Sequence, residues 1–471
     1  MPDQSDKPFA ETSRRSVVKG GAALLGVSAL GLASRSGLAQ APRTRMDIVS
    51  FAKDAGRLAK FEAAMKEMQD RSASNPDDPK GWLANAKSHR DFCSIPRSDP
   101  AQIHFCWWFL AWHRAYISVT ERKIREISGD ASFTYPYWNW SSDRRIPPAY
   151  AKQGSSLANA IRFPRTQPVG LTDGEVGYRP DDPVLKKLGV VALGSKFFEA
   201  KTGDDIPFSF GGIARPNPES AYANDALEGT PHGPVHNYVG GRKGSTLGDM
   251  TDFATAGRDP IFFAHHGNLD RLWETWRAMP GNKATEPTID AFRKHSFVFK
   301  WLDGAPIEVP MSDILDTMKL GYTYDYLDVF RPNEPLVMAE QAAQDRLPPI
   351  ASQSLSIPLA AQGADDGSRK YLEITGVATP NEPLTASVHL KAANAPASDT
   401  GIEVGTFAAV NNDGKIEWPS GRLVFDITDA VKRFGGQETT VLLIPHRIGG
   451  DPDQKFAPLK YEKMQIITRQ P

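Results

Sequence analysis

Between His104 and His113 runs an unbroken apolar block, Phe105-Cys106-Trp107-Trp108-Phe109-Leu110-Ala111-Trp112. Three tryptophans in so short a stretch belong in a core, and they carry both flanking imidazoles inside with them. Other histidines are aimed the same way. His89 shares one helical face with Trp82, Ala86 and Cys93. His113 opens a helix whose inward face continues through Ile117, Thr120, Ile124 and Ile127 until Gly129 stops it. His232 and His236 are four apart and lie one above the other on a helix. The pair His265–His266 follows Asp-Pro-Ile-Phe-Phe-Ala inside a third helical pattern. One buried histidine is ordinary, but a whole set without partners costs roughly 1–3 kcal/mol per ring. A shared metal centre removes that cost, so the fold has to bring four segments together. Imidazole-rich ligation with few thiols suits copper, zinc or iron. Three histidines before residue 114 and three after residue 231 imply two ions with three ligands each, with open positions of the catalytic or gas-binding kind. Spacing alone does not choose between His265 and His266.

The rest of the chain divides by pattern. Residues 1–41 hold Arg14–Arg15, Lys19, a Gly/Ala/Leu stretch and small residues around Ala39 and Ala41. They resemble a twin-arginine (Tat) export signal, which expects the Tat machinery as a partner and a periplasmic or secreted protein. Residues 42–335 read as a mainly α domain. Leu58, Phe61, Met65 and Met68 mark its first helix. Thr230 with Pro231 is expected to cap a short helix ending at Gly240–Gly241, and Asp259 with Pro260 to cap another. A Pro/Gly-dense loop region fills about 139–225. Residues 336–360 read as a linker. Within 361–471 five alternating runs, "KYLEITGVA", "TASVHLKAA", "GRLVFDITDAV", "TTVLLIP" and "KYEKMQIITR", predict a β-sandwich. At 471 residues the chain is long enough for more than one core. A net charge of −1 gives nothing to attract nucleic acid or an anionic membrane. Past the N-terminus no apolar run reaches the roughly 18 residues of a membrane span.

Three motifs together resemble the tyrosinase superfamily. "HFCWWFLAWHRAYISVTE" resembles its copper-A signature, departing only by Ile117 where Leu, Val, Met or Thr is usual. "DPIFFAHHGNLD" resembles the copper-B signature, and "PHGPVHNYVGG" its first histidine pair. "ILDTMKLGYTYDYLDV", with Tyr322 and Tyr324, resembles the segment closing the catalytic domain of plant polyphenol oxidases. The resemblance covers about residues 55–330. It implies a four-helix bundle around a dicopper centre with long loops, followed by the C-terminal β-domain as a lid over the site. It places one copper ion on His89, His104 and His113. The other falls to His232, His236 and His266, since the motif sets Asp270 four residues after the ligand. It implies oxidation of o-diphenols by O2 to o-quinones, phenolic small molecules as partners, and a thioether from Cys93 to His104, with Cys106 a buried thiol. It implies that Glu228 holds a water, that Asn237 and Gly233 line the entrance, and that Phe262 gates one copper. Relatives that hydroxylate monophenols carry Asn where this chain has Gly233, so diphenol oxidation is the expectation that carries over. A hemocyanin-like oxygen binder and an o-aminophenol oxidase share the same ligands, and a zinc hydrolase is the rival outside the family.

Overall fold

The computed structural model describes residues 41–96, 99, 101–166, 170–179, 185–199, 209–212, 214, 227–330, 353–357, 368–417, 422–435, 437–449 and 456–469. The export signal, but for Ala41, and most of the linker lie outside the described residues. Residues 42–471 form one compact unit with two large apolar cores, one helical and one in the β-region.

Four long helices build the first part: α1 (Ala55–Ser74), α2 (Trp82–Cys93), α3 (Trp108–Ser128) and, after the short α4 (Gly233–Gly240), α5 (Ile261–Ala278). Each follows from local chemistry. The Asp54 side chain accepts from the Arg57 N–H and starts α1, whose buried face is Phe61, Ala64, Met65 and Met68. Gly129, at φ 65°, supplies the left-handed residue that ends α3. The Asp259 carboxylate accepts from the Ile261 N–H at 3.1 Å and so starts α5, as expected. Thr230 does not cap α4. Its backbone is extended, and its hydroxyl donates to the Thr406 carbonyl at 2.6 Å in the β-region. α1 packs on α2 and α3, and α3 packs on α5.

α3 and α5 are also locked by charge. Asp270 accepts from Arg114, the residue after His113, and from Arg45 at 2.8 Å, with Tyr322 and Tyr324 donating to the same carboxylate. Arg45 lies on β1 (Arg43–Arg45), which pairs in parallel with β2 (Tyr322–Tyr324). The Arg of one histidine motif and the Asp of the other therefore tie together the helices that bear His113 and His266. Removing one partner from such a buried pair strands the other charge. Asp270→Ala should cost about 3–5 kcal/mol, seen as a lowered thermal midpoint; an unchanged midpoint would deny the lock its role.

The β-region is a sandwich. One sheet runs β7 (Lys415–Glu417), β6 (Ile402–Asn412), β5 (Leu384–Ala392), β9 (Thr439–His446) and β3 (Gln353–Ile357); the other runs β8 (Arg422–Asp426), β4 (Arg369–Thr375) and β10 (Lys463–Arg469). Three features differ from the sequence expectation. β3 falls inside the stretch read as linker, and pairs with β9 from Thr439↔Ile357 to Leu443↔Gln353. The run "GRLVFDITDAV" is a strand only to Asp426, because Asp426 accepts from the Thr428 N–H and turns the chain into a helix, Thr428–Phe434. β6, absent from the five runs, is the longest strand. Beyond a register shift between Glu403 and Gly405, alternate residues of β6 face opposite ways: Phe407 and Ala409 enter the sandwich core, while Ala408 and Val410 face the helices.

Candidate metal centre

His89 comes from α2, His104 from the loop before α3, and His113 from the first turns of α3; one ligand nitrogen of each lies within 4.8 Å of the others. His232 at the start of α4, His236 within it, and His265 and His266 in α5 form a second group on the same criterion. All seven rings are buried. The groups face each other: the His113 and His266 rings stack at 4.1 Å, and His104 lies 6.1 Å from His232.

Hydrogen bonds fix which nitrogen two of the rings offer. His113 Nδ1 donates to the Phe109 carbonyl and His236 Nδ1 to the Met250 carbonyl, both at 2.7 Å, which turns each Nε2 lone pair inward. The Nε2 atoms of His104, His113, His232 and His265 are buried without a hydrogen-bond partner among the described residues. His236 Nε2 and His266 Nε2 lie 3.3 Å apart. Inward lone pairs at such density, with no protein donor between them, fit metal ions. His265 differs. The Trp140 indole N–H, which can only donate, points at its Nδ1 from 3.1 Å. A neutral His265 then carries its proton on Nε2 and has no lone pair to offer a metal. That hydrogen bond separates His266 from its neighbour, which spacing does not.

Burial keeps these rings neutral. Desolvation lowers the His113 pKa to about 3 and the His236 pKa to about 4, and pushes those of His89, His104, His232 and His266 well below 6.5. Between roughly pH 6.5 and 4 an unfolded chain takes up protons that these rings refuse when folded. The metal-free protein should therefore lose stability as pH falls through that window and show no contribution from these groups above it. A urea midpoint measured from pH 7.5 to 4.5 tests this, and a flat profile would contradict the burial.

Aromatic rings wall the space between the groups. Phe262 is 4.7 Å from the His89 ring and 4.2 Å from that of His266, so it touches both groups. Phe109, from the apolar block, is 4.7 Å from His232 and 4.8 Å from His113. Phe253 stacks on His104 at 4.5 Å and 12°. Nothing in its sequence context, "TDFATAG", marks Phe253 as a site residue; only the turn of chain after α4 brings it there. Glu228 is buried, and its Oε2 accepts from the Phe105 N–H at 2.6 Å. Cys93 Sγ lies 3.5 Å from His89 Nδ1 and 3.9 Å from His104 Nδ1. Cys106 is a separate buried thiol that donates to the Gln102 carbonyl at 3.1 Å. Asn237 is fully buried and donates to Thr385 Oγ1 at 3.0 Å and the Ala409 carbonyl at 3.1 Å, with the β-region closed over α4.

Residues 79–189 and 191–279 match the family model described as the common central domain of tyrosinase, the span that holds both histidine groups. That span of the chain belongs to the tyrosinase superfamily. Within that superfamily it is similar to plant polyphenol oxidases. It is 32% identical over 275 residues to the chloroplastic polyphenol oxidase of Malus domestica, covering 56% of this chain and 46% of that one. It is 31% identical to catechol oxidase B of Solanum tuberosum, covering 60% and 49%. The chain thus spans about half the length of the curated relatives it matches. Its fold follows that of latent apple tyrosinase, with a TM-score of 0.63 at 24% identity over 91% of this chain and 98% of that one. The tyrosinase-type core of this protein is therefore helical, with a strand-rich region after it, as the motifs implied. Among the described residues no helix is long and apolar enough to cross a membrane.

Proposed function

We propose that this protein is a copper-dependent oxidase that converts o-diphenols to o-quinones with O2. The observation that carries the reading is the pair of facing, buried histidine groups with Nε2 lone pairs turned inward. His89, His104 and His113 would hold one copper ion, and His232, His236 and His266 the other. Copper bound there supplies O2 binding and the redox change that takes two electrons and two protons from each diphenol, reducing O2 to water. The chain's own residues do the rest. Phe109, Phe253 and Phe262 exclude water and offer ring faces to an aromatic substrate. Phe262, between the groups, is the gate. Glu228 is placed to hold a water that receives a phenol proton. Asn237 and Gly233 would line the entrance once the β-region moves away. The relatives' names, polyphenol oxidase and catechol oxidase, support the substrate class. Copper analysis with oxygen uptake on catechol and tyramine tests the reading. Two coppers per chain and turnover of catechol are expected. Reversible O2 binding without turnover would make the protein a carrier, and zinc instead of copper would end the proposal. The paired arginines and following segment of residues 1–41 support export of the loaded protein by the Tat route.

The same reading places a thioether between Cys93 and a carbon of the His104 ring, supported by the 3.9 Å approach of Sγ to that ring. The link would fix a ligand that sits on a loop. Alkylation of the denatured, copper-loaded protein should label one cysteine with or without reductant. Two labelled cysteines would rule the link out.

A further inference from the structure

His104 is the one proposed ligand outside a helix, since His232 already lies in a helical turn joined to α4. No ladder of i→i−4 hydrogen bonds holds its backbone. Side chains do so instead, at three consecutive N–H groups. Gln102 Oε1 accepts from Ile103 N–H at 2.8 Å and from His104 N–H at 3.1 Å. Glu228 Oε2 accepts from Phe105 N–H at 2.6 Å. Gln102 is itself anchored, because its Nε2 donates to the Ile95 carbonyl at 2.5 Å across the same loop. It is 3% exposed, so water does not compete for these bonds. The grip is needed because Phe105 adopts φ 56°, a left-handed conformation that costs a bulky residue energy and persists only where its surroundings enforce it.

From these contacts we infer that Gln102 is a positioning residue for the copper ion on His89, His104 and His113, acting through the backbone of His104. This rests on the copper reading above. Gln102 fixes the segment before the ligand, and Glu228 fixes the segment after it from the opposite half of the site. The ring of His104 then projects from a backbone held on both sides, with its stacking on Phe253 setting the plane. His232, His236 and His266 receive nothing from Gln102, so its effect is confined to one ion.

Gln102→Met keeps the side chain's length and apolar bulk but removes both the acceptor and the Ile95 anchor; Gln102→Glu loses the anchor but keeps an acceptor for both N–H groups. Copper per chain is measured after dialysis against a graded chelator, alongside the KM for catechol. In Gln102→Met the affinity for one of the two ions should fall roughly 10- to 100-fold, with the other unchanged. Gln102→Glu should lose less affinity for that ion than Gln102→Met does. A Gln102→Met protein that keeps both ions at parental affinity overturns the inference, as does a Gln102→Glu protein that holds the ion no better than Gln102→Met. If Gln102→Met fails to fold, Gln102→Leu takes its place on the same criterion. A parent that binds no copper would instead sink the functional reading.

Discussion

His266→Ala should retain the ion at His89, His104 and His113, lose its partner, and oxidise catechol roughly a thousandfold more slowly or worse, since groups that act as a unit fail together. His265→Ala should retain both ions. The contrast rests on one hydrogen bond. Trp140 donates to His265 Nδ1, which puts the remaining proton of a neutral ring on Nε2. His266 Nε2, by contrast, faces His236 Nε2 at 3.3 Å with room for an ion to be shared. His295 supplies the control. It is stacked on Trp108 at 4.2 Å, outside both groups, and His295→Ala should leave the copper content unchanged. Metal analysis of the three variants reads this directly. Loss of an ion in His265→Ala, with retention in His266→Ala, would reverse the assignment.

Cutting the chain between residues 331 and 352 should raise catechol oxidation. In the intact protein strand β6 lies against α4 and the loop of His104. A Cβ on Gly233 would come within 2.9 Å of Ala408 Cβ. Val410 packs in one cluster with Cys93, Phe105 and Phe253. Asn412 donates to the Cys93 carbonyl at 2.7 Å, and Arg242 pairs with Glu382 at 2.8 Å. The six ligand histidines are at most 3% exposed behind these contacts, so a phenol should need an open form to reach them. If that form is about 1–10% populated, releasing the β-region raises turnover about 10- to 100-fold. The position of the cut matters. β3 pairs with β9, so a cut before residue 353 releases the β-region whole. A cut after residue 357 leaves β3 on the helical piece and still holding its partner strand. Val410→Asp in the uncut chain should activate in the same direction, because it places an unpaired charge against Phe105 and Phe253. Were cut and uncut protein equally fast on catechol, the lid would have no regulatory meaning.

The helical half of the site is legible in the residues themselves. Period-3.6 apolar faces locate α1, α2, α3 and α5, and His89, His113 and His266 ride on those faces, so the convergence of these three follows from burying the faces. The ion lock between Arg114 and Asp270 lies within the motifs too, although only the packing of α3 on α5 pairs the two residues. Tertiary structure alone decided three matters and supplied the physical reason for a fourth, which the motif's spacing to Asp270 had already settled. His265 and His266 are neighbours in sequence, and the partner that separates them, Trp140, is 125 residues away. Phe253 opens a one-turn helix and Gln102 sits in a loop, and neither is long enough for a period to point inward. Asn237 is claimed by Thr385 and Ala409, with the β-region closed over α4. β6 escapes a strand reading because Gly405, Ala408 and Ala409 have weak strand preference. Those small residues are there because Gly405 meets the Phe425 ring on one side and Ala408 meets Gly233 on the other. Local patterns record which way a side chain faces, whereas close approach between distant segments is recorded only as missing bulk, and bulk that is missing has no period to read.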